Sequence, residues 1–200
     1  MELDPRKMHP QVTNILIMLI MIGLGRFINT DNPTILTIIR ILYIASITTT
    51  LSIYYITKQR IKKANDLKVL KYVKGNSMTS AEYLMGQKES LETITVRDYD
   101  MKDIDAALRS TYQSILMMFL MHVVMKYNNP LFMQLVSPVK NAVENNVVKI
   151  HSFGKPAVGD LKRPFAGGTL FGVSTGGNYK TDKKTIEEFE MAGYGGTKFE

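Results

Sequence analysis

The residues with catalytic or ligating chemistry are few, and their spacing fits no known reaction centre. His9, His122 and His151 show no metal-ligand spacing, and the 200-residue chain has no Cys. Thiolate metal sites, disulfide frameworks and cysteine nucleophiles are therefore excluded. The stretch GKPAVG at 154–159 lacks the spacing of a phosphate-binding loop, and no H-E-x-x-H occurs. Asp98, Asp100, Asp103 and Asp105 lie close together without the Gly-centred loop of a calcium hand. They suit the start of a helix better, with Asp98 or Asp100 as its cap and the others against the positive end of the helix dipole. The expectation is a protein that is not an enzyme and has no cofactor, catalytic residue or metal.

A different chemistry is written in the apolar residues. Three uncharged runs, Met8 to Gly25, Ile41 to Thr57 and Ser110 to Met125, each end at a basic residue. A helix crossing the hydrocarbon layer needs about 20 mostly apolar residues. The first run meets that length alone. The second reaches it by starting near Pro33 and carrying Arg40 inside, and the third by borrowing Arg109 and Lys126, whose stems lie along the helix while their charges stay at the headgroups. The mean hydropathy of −0.04 hides the runs by averaging them with charged segments. A soluble all-helical domain is the alternative, but no amphipathic helices of matching size are present to cover three such cores.

The pattern predicts an all-α integral membrane protein with three transmembrane helices plus a short broken or interfacial fourth element, a basic cytosolic helix and a flexible tail. Residues 1–57 form a hairpin with helices near 10–28 and 33–57. Residues 58–98 form the basic helix and a linker, and 99–126 a helix continuing into the third span. Residues 127–150 form an amphipathic re-entrant or short fourth membrane helix, started by Pro130 and kinked by Pro138. Residues 151–200 form a Gly/Pro-rich, mostly extended tail with a short charged helix. The first run is too long for a signal-peptide core and lacks an A-x-A-like site, so it reads as a retained anchor.

Charge placement orients the hairpin. The net charge is +7, and Lys58, Arg60, Lys62, Lys63, Lys68, Lys71 and Lys74 face only Asp66 in their stretch. Such a cluster directly after a span stays in the cytosol, which puts the Arg26 to Asn32 tip on the far side. These cations suit anionic headgroups or ribosomal RNA, since both offer phosphates.

Within the runs, Asn14, Met18, Met21 and Gly25 share one helical stripe. Arg40 lies within about two turns of the lumenal end of the second helix. It reads either as a snorkelling anchor or as a groove charge. Gln113, Met117, Met118, Met121, His122 and Met125 mark the third helix, His122 reading first as a hydrogen-bonding residue. Thirteen Met in the chain, many of them in the runs, supply unbranched, adaptable side chains. Asn14, Met18, Met21, Arg40, Gln113, Met117, Met121 and His122 are therefore the candidates for a plastic, partly polar groove that accepts the transmembrane segments of client proteins.

Several ordered motifs carry a family resemblance over nearly the whole chain. HPQVTNILIMLIM from His9, DNPTIL from Asp31, IRILY at 39–43, TVRDYDMKDID at 95–105, KYNNPLFMQLVSPVK at 126–140, KIHSFGKPAVGDLKRPF at 149–165 and TDKKTIEE at 181–188 resemble the fungal inorganic phosphate transport protein of the endoplasmic reticulum, a family also called SRP-independent targeting protein three. Residues 1–8 and the Gly-rich tail depart from the family wording. The resemblance implies an endoplasmic reticulum membrane protein serving SRP-independent targeting and insertion of membrane proteins. It implies as partners the Sec translocon, other components of that route, the ribosome, client segments and the lipid bilayer. It also implies support of phosphate permease maturation. The alternatives are a phosphate carrier or channel, and a non-catalytic structural subunit of a translocon complex.

Overall fold

A computed structural model of the chain describes residues 10–28, 32–75, 90–165, 169–170, 173–174 and 178–194. Two compact units emerge, Met1–Lys63 with Met101–Lys155 and Ala64–Asp100 with Pro156–Glu200.

The first unit is helical. It draws on α1 (Pro10–Gly25), α2 (Pro33–Ala64), most of α3 (Val96–Phe119) with a π-helical turn at Leu120–Val124, and three short helices, α4 (Asn129–Met133), α5 (Ser137–Glu144) and α6 (Asn146–His151). Asn32 opens α2 by accepting the Thr34 N–H at 3.0 Å. Asn65, with φ at 43°, closes it in the left-handed conformation that Asn tolerates. Between these ends the hydroxyls of Thr48, Thr49, Thr50, Ser52 and Thr57 donate to carbonyls four residues back at 2.8–2.9 Å. A polar TTTLS stretch can therefore sit in an apolar helix with its donors satisfied.

Among the described residues α2 alone is long and apolar enough to cross a membrane. At 1.5 Å per residue it is about 48 Å long, so its basic last turns extend past a ~30 Å hydrocarbon layer. The expectation of three spans is met by this criterion in one. α1 has 16 residues. The third run divides between the charged first half of α3 and an end that leaves α-helical geometry at Leu120. The π turn is visible where Met125 N–H donates to Leu120 O at 3.1 Å.

The core of this unit joins Met21 of α1, Ile39 and Tyr43 of α2, Met118 of α3 and Leu131 and Phe132 of α4. α1 meets α4 at Gly25, where an added Cβ would make ordinary van der Waals contact with the Phe132 ring at 3.6 Å. Leu16, Leu19, Ile41, Ile44, Leu116 and Val124 stay exposed, as do other large apolar side chains of the same helices. The region 127–150 is broken into separate helices: Pro138 stands in the first turn of α5 and begins a helix instead of kinking one. Asn145 caps α6 by accepting from Val147 and Val148 N–H at 2.9 and 3.1 Å.

The second unit corrects the all-α expectation. It contains an antiparallel sheet in the order β2-β1-β5, from β1 (Val69–Gly75), β2 (Ser90–Thr95) and β5 (Asn178–Lys180), with a two-stranded pair β3 (Thr169–Leu170) and β4 (Val173–Ser174). Val69 pairs with Thr95, Tyr72 with Glu92 and Val73 with Lys180. Helix α7 (Lys183–Tyr194) packs on β1 and β2. The helix expected to run through Lys74 ends at Ala64, and residues 69–75 pair as a strand. Val69, Tyr72 and Val73 are β-branched or aromatic, and Lys71 points out between the more buried Leu70 and Tyr72 with a period of two. The linker expected within 58–98 ends in β2, residues 76–89 lying outside the described ones. The expected extended tail supplies β5 and α7.

Tyr72 packs edge-on against Tyr99 at 5.9 Å and Tyr179 at 5.1 Å, and Tyr99 against Phe165 at 5.5 Å. Asp100 is fully buried and takes two hydrogen bonds from Arg163, Nε to Oδ1 and Nη2 to Oδ2, each 2.6 Å. The cap of α3 is Thr95, whose hydroxyl accepts the Asp98 N–H at 3.1 Å. Asp100 is thus half of a buried ion pair, contrary to the capping expectation for Asp98 or Asp100.

Candidate functional site

A polar concavity of the helical unit lies along α2, α3 and α5. Ile47 and Tyr54 of α2, Ser110, Thr111 and Ser114 of α3, Gln134, and Ser137, Asn141, Glu144 and Asn145 line a cavity of about 550 Å³. Helical periodicity assembles it. Ser110 and Ser114 stand at i and i+4 on α3, and Ser137, Asn141 and Glu144 at i, i+4 and i+7 on α5. Ser114 Oγ donates to Gln134 Oε1 at 3.3 Å, and Asn145 Nδ2 to Asp103 Oδ2 at 3.3 Å. Glu144 is neutralised by Lys140 one turn before it. The lining is therefore rich in hydroxyls and amides that both donate and accept, with its one carboxylate paired. Ile47 and Tyr54 sit about 21 and 31 Å along the α2 axis from Pro33, toward the basic end of the helix.

None of these residues was singled out from the sequence. Ser110, Thr111 and Ser114 belong to a run that reads only as uncharged, and Gln134 to Asn145 to a stretch that reads as amphipathic. The legible signal was the shared i, i+4 spacing of small polar residues on two helices.

The sequence candidates are divided. Arg40 and His122 meet: Arg40 Nε–H donates to His122 Nε2 at 2.9 Å. Both line a second, apolar cavity of about 350 Å³ with Tyr43, Ile44, Ile115, Met118, Phe119, Val123 and Leu131. Met21 is part of the packed core, joined there by Met118, which was not among the groove candidates. Met18, Gln113 and Met117 are exposed, and Met121 is half-buried. The Asn14 side chain lies outside what is described. The seven described candidates thus occupy core, outward face and cavity.

The basic candidates also separate. Lys58 pairs with Asp105, and Arg60 Nη1 donates to the carbonyls of His151 at 3.2 Å and Ser152 at 2.9 Å. Lys71 pairs with Glu190 at 2.6 Å. Lys62 and Lys63 are exposed, and Lys68 is exposed with a loose 3.8 Å contact to Asp66. The Lys74 side chain lies outside what is described.

Fold and site together define a mostly helical protein with, among the described residues, one helix suited to crossing a bilayer, a polar groove beside that helix and a small sheet-bearing unit. The chain belongs to the phosphate transport (Pho88) family, which it matches over residues 8–197. It is 53% identical to SRP-independent targeting protein 3 of Saccharomyces cerevisiae over 194 residues, covering 96% of this chain and 100% of that one. It is 35% identical to the SRP-independent targeting protein 3 homolog of Schizosaccharomyces pombe over 187 residues, covering 92% and 93%. No solved structure matches it.

Proposed function

We propose that the chain is an endoplasmic reticulum membrane factor for SRP-independent targeting and insertion of membrane proteins, acting as an insertase or client receptor through the polar groove of α2, α3 and α5. The observation that carries this reading is the groove itself, about 550 Å³ of hydroxyl and amide lining in a unit whose outer faces are apolar. A charged residue at the centre of the bilayer costs about 2.5–3.5 kcal/mol on insertion scales. Side chains that donate and accept in turn lower that barrier for a passing polar flank. Because the carboxylate at the groove is already paired, no free charge arrests the flank. The groove adjoins the basic, cytosolic half of α2, where a client arriving from the cytosol is received. Both relatives named for SRP-independent targeting support this reading.

In this reading α1 and the apolar end of α3 also lie in the bilayer as parts of a multi-pass arrangement, which accounts for their exposed apolar faces. The Sec translocon, other targeting components and the ribosome are its partners. Lys62, Lys63 and Lys68 supply ribosome or headgroup contact, since their side chains are exposed. Phosphate permeases, as multi-pass clients, depend on it for maturation. The test is photo-cross-linking from probes at Ser114 and Asn141 to a stalled client. Adducts at both, with few from the outward Met117, are expected; equal labelling from all three refutes the groove.

Direct phosphate carriage is favoured by one observation, the Arg40–His122 pair. Those groups open on an apolar cavity, where a hydrated anion has no polar path onward. Phosphate uptake into vesicles by the purified chain, lost in Arg40→Ala, would restore that reading.

A further inference from the structure

Two residues with a buried, unpartnered polar atom, His122 and Tyr43, line the apolar cavity of the helical unit together with the exposed Arg40. His122 Nε2 accepts from Arg40 Nε–H at 2.9 Å. A neutral imidazole that accepts at Nε2 carries its proton on Nδ1. That Nδ1 is buried without a partner. The Tyr43 hydroxyl is likewise buried without a partner, on a residue 8% exposed. Among the described residues the two terminal nitrogens of Arg40 pair with no carboxylate. Buried donors left open are uncommon, and each costs about 1–3 kcal/mol. His122 also sits in the π-helical turn Leu120–Val124, a local geometry that recurs at functional sites.

We propose that this cavity binds one glycerophospholipid, its phosphodiester held by Arg40 with His122 Nδ1–H and the Tyr43 hydroxyl, and its acyl chain lying against Ile44, Ile115 and Phe119. The planar guanidinium fork matches two phosphate oxygens, and the single charge of Arg40 balances the single charge of a phosphodiester. Depth agrees with chemistry. Arg40 lies about 10 Å along the axis from Pro33, so it stands within reach of the headgroup level, while Ile44 continues toward the hydrocarbon. Ile44 and Phe119 are themselves exposed, at 63% and 55%, which leaves the cavity open to lipid at its side. An inorganic phosphate would fill the cationic end alone and leave the apolar walls without an occupant.

This inference rests on the membrane reading of α2 and not on the client groove, so the two fail separately. The test uses the full chain in phosphatidylcholine/phosphatidylserine nanodiscs containing a trace of phospholipid with a photoactivatable acyl chain. The expected result is cross-linking concentrated at Ile115 and Phe119 relative to the exposed Leu16 and Leu19. Arg40→Gln should reduce it about tenfold, the equivalent of one charge-assisted hydrogen bond. Arg40→Lys should retain part of it, and excess inorganic phosphate should not compete. His122→Phe, which removes the Nδ1 donor and keeps a ring, should reduce cross-linking even if Arg40→Gln fails to fold. Uniform labelling of all four apolar positions means bulk lipid alone and overturns the proposal. So does labelling indifferent to His122→Phe, or displacement by inorganic phosphate, which would assign the cationic end to the free ion.

Discussion

Replacing Asp100 by Ala should disrupt the sheet-bearing unit more than any surface change. Its carboxylate is 0% exposed and receives two 2.6 Å hydrogen bonds from Arg163, whose side chain is 12% exposed. Removing one partner of a buried ion pair costs about 3–5 kcal/mol, because the remaining charge stays buried without compensation. The lower half of that range applies, since Arg163 keeps a thin contact with water and its guanidinium lies 6.0 Å from the Phe165 ring centre. A loss of about 3 kcal/mol corresponds to a more than hundredfold rise in opening, at 1.36 kcal/mol per tenfold. The assay is hydrogen exchange of the β1 amides, Val73 above all, in the full chain in nanodiscs. The double variant Asp100→Leu with Arg163→Met should recover most of the protection, as apolar replacement of whole buried pairs tends to. Exchange in Asp100→Ala within about fivefold of the parent chain, roughly 1 kcal/mol, would show that water reaches the pair and refute the reasoning.

Burial, followed by the hydrogen bond to Glu92 and its charge, raises the Tyr72 pKa above the ordinary 10.0. The unfolded chain therefore releases this proton first, and stability falls as pH climbs above about 10. Tyr72→Phe should lose about 1.5 kcal/mol at neutral pH and show a shallower alkaline decline, measured as chemical unfolding against pH. Asn145→Ala uncaps α6 and should cost about 1 kcal/mol, read as roughly fivefold faster exchange at Val147 and Val148. Lys62→Glu with Lys63→Glu should weaken salt-sensitive co-sedimentation with ribosomes and leave membrane extraction behaviour unchanged.

Much of the helical unit was legible because bilayer physics imposes long uncharged runs, and α2 follows its run closely, from Pro33 through the basic end. Less legible was where such runs stop being simple helices. The π turn at Leu120–Val124 and the left-handed Asn65 depend on local backbone geometry that composition does not encode. The strand at 69–75 was concealed because LKVLKYVK satisfies helical and strand periods at once, and only pairing with Thr95 and Lys180 decides between them. Of the site, Arg40 and His122 were found as isolated polar residues in apolar runs, but their contact joins positions 82 residues apart. The polar groove escaped notice because Ser, Thr and Asn in a helix have a ready local explanation, back-bonding to their own carbonyls. Only the packing of α3 beside α5 turns them toward a shared cavity.

The most direct test of the groove is insertion by the purified chain in liposomes. A client with a single carboxy-terminal transmembrane segment and a short polar tail is supplied, and protease protection of the tail is scored. Stimulation over protein-free liposomes is predicted, along with loss of that stimulation when Ser110, Ser114 and Asn141 are all changed to Leu and its retention in Met117→Leu. Equal stimulation by the parent chain and the triple Leu variant, with both folded, would contradict the account.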